Sequence, residues 1–373
     1  MSFLGDRLYA KYFPVQQPCD SFTPLHARSY LDPSNAGSSY STLPNDTYSP
    51  SPDLVCVATV SRYARDNIFR QFTSLYVLTA IGIFVLYFSV AGLSYYFLFD
   101  KRLRKHPKFL KNQEKQEIIH SLQTFLPLDA LTTPWFLGEV RGHSMIYDGF
   151  RDGPWGSSNL GSYGYIVFSS LLFLFLTDLG IYWAHRALHW PSVYKRLHKP
   201  HHKWIIPTPW ASHAFHPLDG YAQSLPYHIF VYVFPLNKFL FIGLFIFVNV
   251  WSILIHDSDM ISDHPAEYYI NGPAHHTLHH MYFTVNYGQY FTWADRYWSS
   301  FRKPETVDDP IHRALEIIAA EEKAKTEKLG LHSAESSTAL SDADSASTVS
   351  SSSSLPATPL DEPLSTSDLR KRK

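Results

Sequence analysis

From Leu75 to Leu98 the chain runs 24 residues without a single charge. A helix of that length crosses the roughly 30 Å hydrocarbon core of a bilayer, so the chain is read as a membrane protein before any other feature is weighed. Lys101, Arg102, Arg104, Lys105 and Lys108 follow at once. Basic residues favour the cytosolic side of a span, which places this end in the cytosol and the N-terminus in the lumen. An Asn45-Asp46-Thr47 sequon on that lumenal side makes the topology testable, although such sequons are common by chance.

Three further apolar stretches follow. Ile118 to Leu137 is interrupted by Pro127, Asp129 and Pro134, and is expected as a broken or tilted second span, with a re-entrant segment as the alternative. Tyr163 to Trp183 is a clearer third span. Leu225 to Phe234 and Phe239 to Ile255 flank Pro235-Leu236-Asn237-Lys238, a hairpin or one long bent segment that returns to the side it left. The expected fold is therefore an all-α membrane protein. It has about four transmembrane helices and a cytosolic helical cap on which the histidine-rich segments fall. Three regions result: a polar, lumenal segment over 1–70, a transmembrane and catalytic domain over 71–305, and a cytosolic tail over 306–373. The tail begins with a charged helical stretch from Ala314 to Lys328. Beyond it lies a Ser/Thr/Ala-rich tract, including Ser350 to Ser354, which is too poor in apolar residues to fold alone.

Composition excludes several classes. A net charge of −1 leaves nothing to hold a polyanion, so no nucleic acid is expected. The only cysteines are Cys19 and Cys56, too few for a thiolate zinc site or an iron–sulfur cluster. They could pair if lumenal, or remain two free thiols. No phosphate-binding loop or dinucleotide-binding glycine pattern is present.

Histidine is the outlier. Fourteen of the 20 histidines fall between His185 and His280. Three short segments carry most of the signal: His185-Arg-Ala-Leu-His189, His198-Lys-Pro-His201-His202 and His276-Thr-Leu-His279-His280. Residues four apart on a helix share a face, so His185 and His189 can converge on one ion, and each of the other boxes can offer up to three nitrogens. Neutral imidazole suits iron, zinc, copper and nickel. Eight box histidines exceed what one ion takes, and a zinc hydrolase uses about three protein ligands. The pattern therefore points to two metal ions. His256, which ends the last apolar run, is a ninth candidate ligand. His213, His216, His228, His264 and His275 could be ligands, supporting groups or substrate contacts. Asp178 lies seven residues before His185 on the same helical face. Carboxylates there could orient a metal-bound imidazole or make a buried contact to another helix.

These boxes resemble those of the fatty acid hydroxylase / sterol desaturase superfamily of membrane di-iron enzymes. The finer pattern is similar to fungal sterol C-5 desaturases of the lathosterol oxidase type. It is carried by Thr133-Pro-Trp-Phe-Leu-Gly-Glu-Val-Arg-Gly142, His198-Lys-Pro-His-His-Lys-Trp204, Ala211-Ser-His-Ala-Phe-His-Pro217, Gln223-Ser-Leu-Pro226 and Asn286-Tyr-Gly-Gln-Tyr290. The likeness covers roughly residues 65–305. One departure stands out: after Asp295-Arg296 the family commonly has a glycine-containing turn, whereas this chain reads Tyr297-Trp298-Ser299-Ser300.

The resemblance implies a multi-pass enzyme of the endoplasmic reticulum membrane with its active site facing the cytosol. It would introduce the 5,6 double bond into a delta7-sterol resembling episterol during ergosterol synthesis. It implies two iron ions, consumption of O2, and electrons from NAD(P)H arriving through cytochrome b5 and its reductase. The boxes alone do not separate desaturation from hydroxylation of a sterol methyl group or fatty acyl chain. An inactive sterol-binding scaffold is disfavoured because all eight box histidines are present.

Overall fold

A computed structural model describes residues 14–18, 57–61, 63–258 and 264–342. Cys19, Cys56, the Asn45 sequon and Ser350–Ser354 lie outside the described residues. Within the region expected to be polar and irregular, β1 (Pro14–Pro18) pairs antiparallel with β2 (Val57–Ser61).

The uncharged run becomes α1 (Ile68–Phe97), whose first turn is capped by the Asn67 side chain accepting from the Arg70 N–H at 3.2 Å. Val77, Ile81, Val85 and Phe88 point outward and are exposed, while Tyr87, Ala91 and Ser94 are buried. α3 (Asn159–Leu188) repeats the arrangement, with Leu160, Val167 and Leu171 exposed and Ser162, Ser169, Thr177 and Asp178 buried. Long rows of exposed apolar side chains on both helices suggest association with a membrane.

α2 (Gln113–Val140) corrects one expectation. It runs unbroken through Pro127 and Pro134. The Thr132 and Thr133 hydroxyls donate back to the Leu128 and Asp129 carbonyls, at 3.2 and 2.7 Å, just ahead of the second proline. The four expected spans differ in length and polarity. Among the described residues only α1 and α3 are long and apolar enough to cross a membrane by that criterion alone. α2 carries Glu114, Lys115, Glu117, Asp129 and Glu139. The anticipated hairpin resolves into α5 (Pro217–Val233) and α6 (Lys238–Leu254), each of 17 residues. At 1.5 Å per residue each reaches about 25 Å, short of a full hydrocarbon core. Between them β4 (Leu236–Asn237) pairs in parallel with β3 (Ile146–Tyr147). The remaining helices are α4 (Pro191–Leu197), α7 (Pro273–Tyr282), α8 (Trp293–Tyr297) and α9 (Pro310–Asp342). The helical stretch expected to end at Lys328 thus continues into the polar tract. The chain divides into two compact units, Met1–Ile317 and Ile318–Lys373.

Two apolar clusters hold the bundle under the site. Phe173, Phe230, Val231, Phe241, Leu244 and Val248 join α3, α5 and α6. Tyr87, Ala91, Phe125, Trp210 and Ile253 join α1, α2 and α6 to the 3-10 turn Pro209–His213. α3 packs tightly on α5 at Gly180, where an added Cβ would lie 2.7 Å from Pro226 Cβ and Cγ. Gly180→Ala is therefore expected to destabilise the fold by about 1–3 kcal/mol through overpacking. Unfolding in mixed detergent micelles measures this, and wild-type stability would mean that the helices part freely.

The departure at Ser299 also has a structural reading. Ser299 adopts φ 57, while Ser300 N–H bonds to the Asp295 carbonyl at 2.8 Å. This is a Schellman-type helix end with serine in the left-handed position usually taken by glycine.

Candidate metal centre

Each box sits on a different local element. His185 lies in the last turn of α3 and His189 caps its C-terminus. His198 caps α4, and His201 and His202 begin the 3-10 turn His201–Lys203. His276, His279 and His280 are on α7, which starts with Pro273 at a position where proline's missing N–H costs nothing. His256 follows α6. Despite this spread, the nine rings gather into two groups, each with its ligand atoms within 4.8 Å of one another. His185, His189, His198, His202 and His279 form the first, and His201, His256, His276 and His280 the second.

The boxes do not map one to one onto the groups. The first box serves one group. The second and third are split, with His198, His202 and His279 on one side and His201, His276 and His280 on the other.

All nine rings converge through Nε2. In the first group His198 Nε2 lies 3.1 Å from both His185 Nε2 and His202 Nε2, and His202 Nε2 lies 3.2 Å from His189 Nε2 and 3.1 Å from His279 Nε2. In the second, His256 Nε2 is 3.3 Å from His201 Nε2 and 3.0 Å from His276 Nε2, which is 3.1 Å from His280 Nε2. A metal–nitrogen bond of about 2.1 Å sets adjacent ligand nitrogens about 3 Å apart at right angles.

The opposite ring nitrogen shows what fixes the tautomer. The Nδ1–H of His185 donates to the Tyr287 carbonyl at 3.0 Å, that of His279 to the Val285 carbonyl at 2.7 Å, and that of His256 to the Ser252 carbonyl at 2.6 Å. His198 Nδ1–H donates to Asp219 Oδ2 at 2.7 Å, with both side chains fully buried. A neutral ring that donates from Nδ1 presents a bare lone pair at Nε2. Where two such lone pairs meet, at His185 and His198, no hydrogen lies between them, an arrangement that suits a bound cation. The donor set and spacing therefore fit two metal ions.

Asp219 is the carboxylate that the sequence reading missed, and Asp178 holds a different place from the one expected. Asp178 Oδ1 accepts the backbone N–H groups of Gln289, Tyr290 and Phe291 at 3.1, 2.7 and 3.2 Å, not a histidine. Asp295 accepts the N–H groups of Tyr287 and Gly288, both at 2.8 Å. Two buried carboxylates thus clamp the loop whose carbonyls aim His185 and His279. Asp178 acts on the rings only through that loop, because its helical position faces the loop backbone.

The other histidines fall outside both groups. His216 and His264 cap the elements that follow them. His228 is buried among Trp135, Phe136, Tyr227 and Phe245, and His275 packs on Phe301. His213 lines a cavity of about 90 Å³ that opens onto His201, His256 and His276.

Burial holds His201, His202, His276, His279 and His280 well below the ordinary histidine value, and repulsion from neighbouring rings adds to it. Burial also takes His256 down to about 4. The rings are thus neutral at physiological pH and ready to bind metal. In the unfolded chain they titrate near 6.5, so below that pH the unfolded state binds more protons. Stability is lost as pH falls from about 6.5 towards 4. Metal-free protein in detergent is expected to melt at a clearly lower temperature at about pH 5.5 than at about pH 7.5. An unchanged midpoint would show that the rings are not buried in neutral form.

Comparison with known proteins places this site in a class and then more narrowly. The Fatty acid hydroxylase family matches residues 170–300, which contain all nine rings. A delta(7)-sterol 5(6)-desaturase of Gibberella zeae is 54% identical over 272 residues, covering 72% of this chain and 80% of that protein. A delta(7)-sterol 5(6)-desaturase of Aspergillus fumigatus is 50% identical over 315 residues, covering 79% and 94%. The lathosterol oxidase of Homo sapiens is 51% identical over 246 residues, covering 66% and 80%. No solved structure matches. The chain belongs to the sterol desaturase branch of the fatty acid hydroxylase family. In a member of that family a histidine cluster of this kind points to iron and O2.

Proposed function

We propose that this chain is a delta7-sterol C-5 desaturase that forms the 5,6 double bond in ergosterol synthesis. The single observation that carries the reading is the convergence of nine histidines into two adjoining groups in a chain about half identical to delta(7)-sterol 5(6)-desaturases.

His185, His189, His198, His202 and His279 would hold one iron, and His201, His256, His276 and His280 the other. Two irons and O2 would supply the oxidising power to remove two hydrogens from adjacent saturated carbons. The chain's own part is to fix the rings through Asp219 and the 285–291 loop, and to exclude water by burying eight of the nine rings. It also presents a cavity to the substrate beside the second group. Electrons would come from NAD(P)H through cytochrome b5 and its reductase, since the sequence carries no nucleotide-binding glycine pattern. The enzyme would sit in the endoplasmic reticulum membrane, with α2 and the α5–α6 pair embedded beside α1 and α3 and the site on the cytosolic side. Catalysis would lie within 71–305.

Sterol profiling of a fungal strain lacking its own C-5 desaturase tests the reading. Expression of the chain is expected to restore 5,6-unsaturated sterols. Persistence of the 5,6-saturated sterols despite normal protein levels would refute the substrate, and a hydroxylated product would favour the hydroxylase alternative.

A further inference from the structure

The cavity beside the second group has an uneven lining. One wall is His201, His256 and His276, and another carries Ser212, His213 and Asn249. Asn249 is unusual for its element, since apart from Ser252 every other residue of α6 after Lys238 is apolar or glycine. A polar side chain among apolar ones on such a helix carries a cost that function commonly explains.

The hydrogen bonds around Asn249 are informative. Its Nδ2–H donates to the Phe245 carbonyl at 2.8 Å, leaving Oδ1 as an acceptor. His213 Nε2–H donates to Oδ1 at 3.5 Å, the outer limit for such a bond. Since Oδ1 only accepts, Nε2 holds the proton of a neutral ring. Nδ1 therefore accepts from the Ser212 hydroxyl at 3.0 Å. The cavity thus offers one fixed donor and one fixed acceptor, loosely joined to each other. A hydroxyl group is both donor and acceptor, and inserted between them it completes two better bonds than the long one it replaces.

In a delta7-sterol, C5 is only two bonds from C3, the carbon that bears the hydroxyl. A pose that offers C5 and C6 to the second group therefore carries the 3-hydroxyl close to the residues that line this cavity. We infer that His213 and Asn249 form the recognition site for the sterol 3-hydroxyl, so that ring A enters first and a free alcohol is required. The inference rests on the desaturase reading and adds to it the group that orients the substrate.

The test uses the full-length, iron-loaded protein in membranes with a delta7-sterol and its 3-deoxy analogue. The measured quantity is the ratio of kcat/KM for the two. The intact chain is expected to favour the alcohol by about 100-fold, and Asn249→Leu to reduce that preference by about tenfold or more, chiefly through KM. His213→Asn, measured in parallel, is expected to act in the same direction. Iron per chain serves as the folding control, and if Asn249→Leu loses iron, Asn249→Ser replaces it. An undiminished preference in iron-replete variants at both positions overturns the assignment. No 5,6-alkene from either sterol with the intact chain would instead overturn the desaturase reading, and this subsite with it.

Discussion

Replacing His202 by alanine is expected to remove desaturation, with product falling by more than about 100-fold. His202 is the hub of the first group, since its Nε2 lies within 3.2 Å of the Nε2 atoms of His189, His198 and His279. The ring is buried and packed on Phe283. Sterol profiles from membranes, alongside iron content of the purified chain, measure the effect. Activity within a few-fold of wild type would show that the first group is not a metal site.

The second large effect is expected at Asp219. Asp219→Ala leaves the His198 Nδ1–H buried without an acceptor and frees the ring to turn. A loss of about 100-fold in activity or iron affinity is expected. Asp219→Asn keeps an acceptor but not the charge, so a milder loss of about tenfold is expected, since charge-assisted bonds are roughly twice as strong as neutral ones. Asp219 also accepts from Gln223 Nε2 at 2.8 Å, so Gln223→Ala provides a control for that contact. Full activity in Asp219→Ala would show that the carboxylate plays no part in holding the ring.

The sequence showed which histidines gather better than how they are arranged. Short spacings within one helix or turn are legible because the backbone repeat places the rings, and the box histidines and His256 all enter the two groups. How the boxes divide was not legible, because it depends on how α3, the 201–203 turn and α7 meet in space. Asp219 was missed for the same reason. It lies 21 residues from His198, with only its place in the first turn after Pro217 as a local signal. The Tyr287 and Val285 carbonyls are backbone groups, which no side-chain pattern announces. Asp178 was noticed as a carboxylate in an apolar helix, yet its partners are N–H groups more than a hundred residues later. For the spans, the long uncharged runs were clear, but Pro127 and Pro134 suggested a break in a helix that continues.

The division of the second and third boxes has a consequence for how the protein fills. His201 and His202 are adjacent in sequence, as are His279 and His280, yet the members of each pair face different groups. An ion held by His202 and His279 would order the backbone that aims His201 and His280, so part of the entropy of ordering the second position would be spent when the first is occupied. Uptake would therefore be cooperative, so that under iron limitation doubly loaded and empty chains are expected to outnumber those holding a single ion.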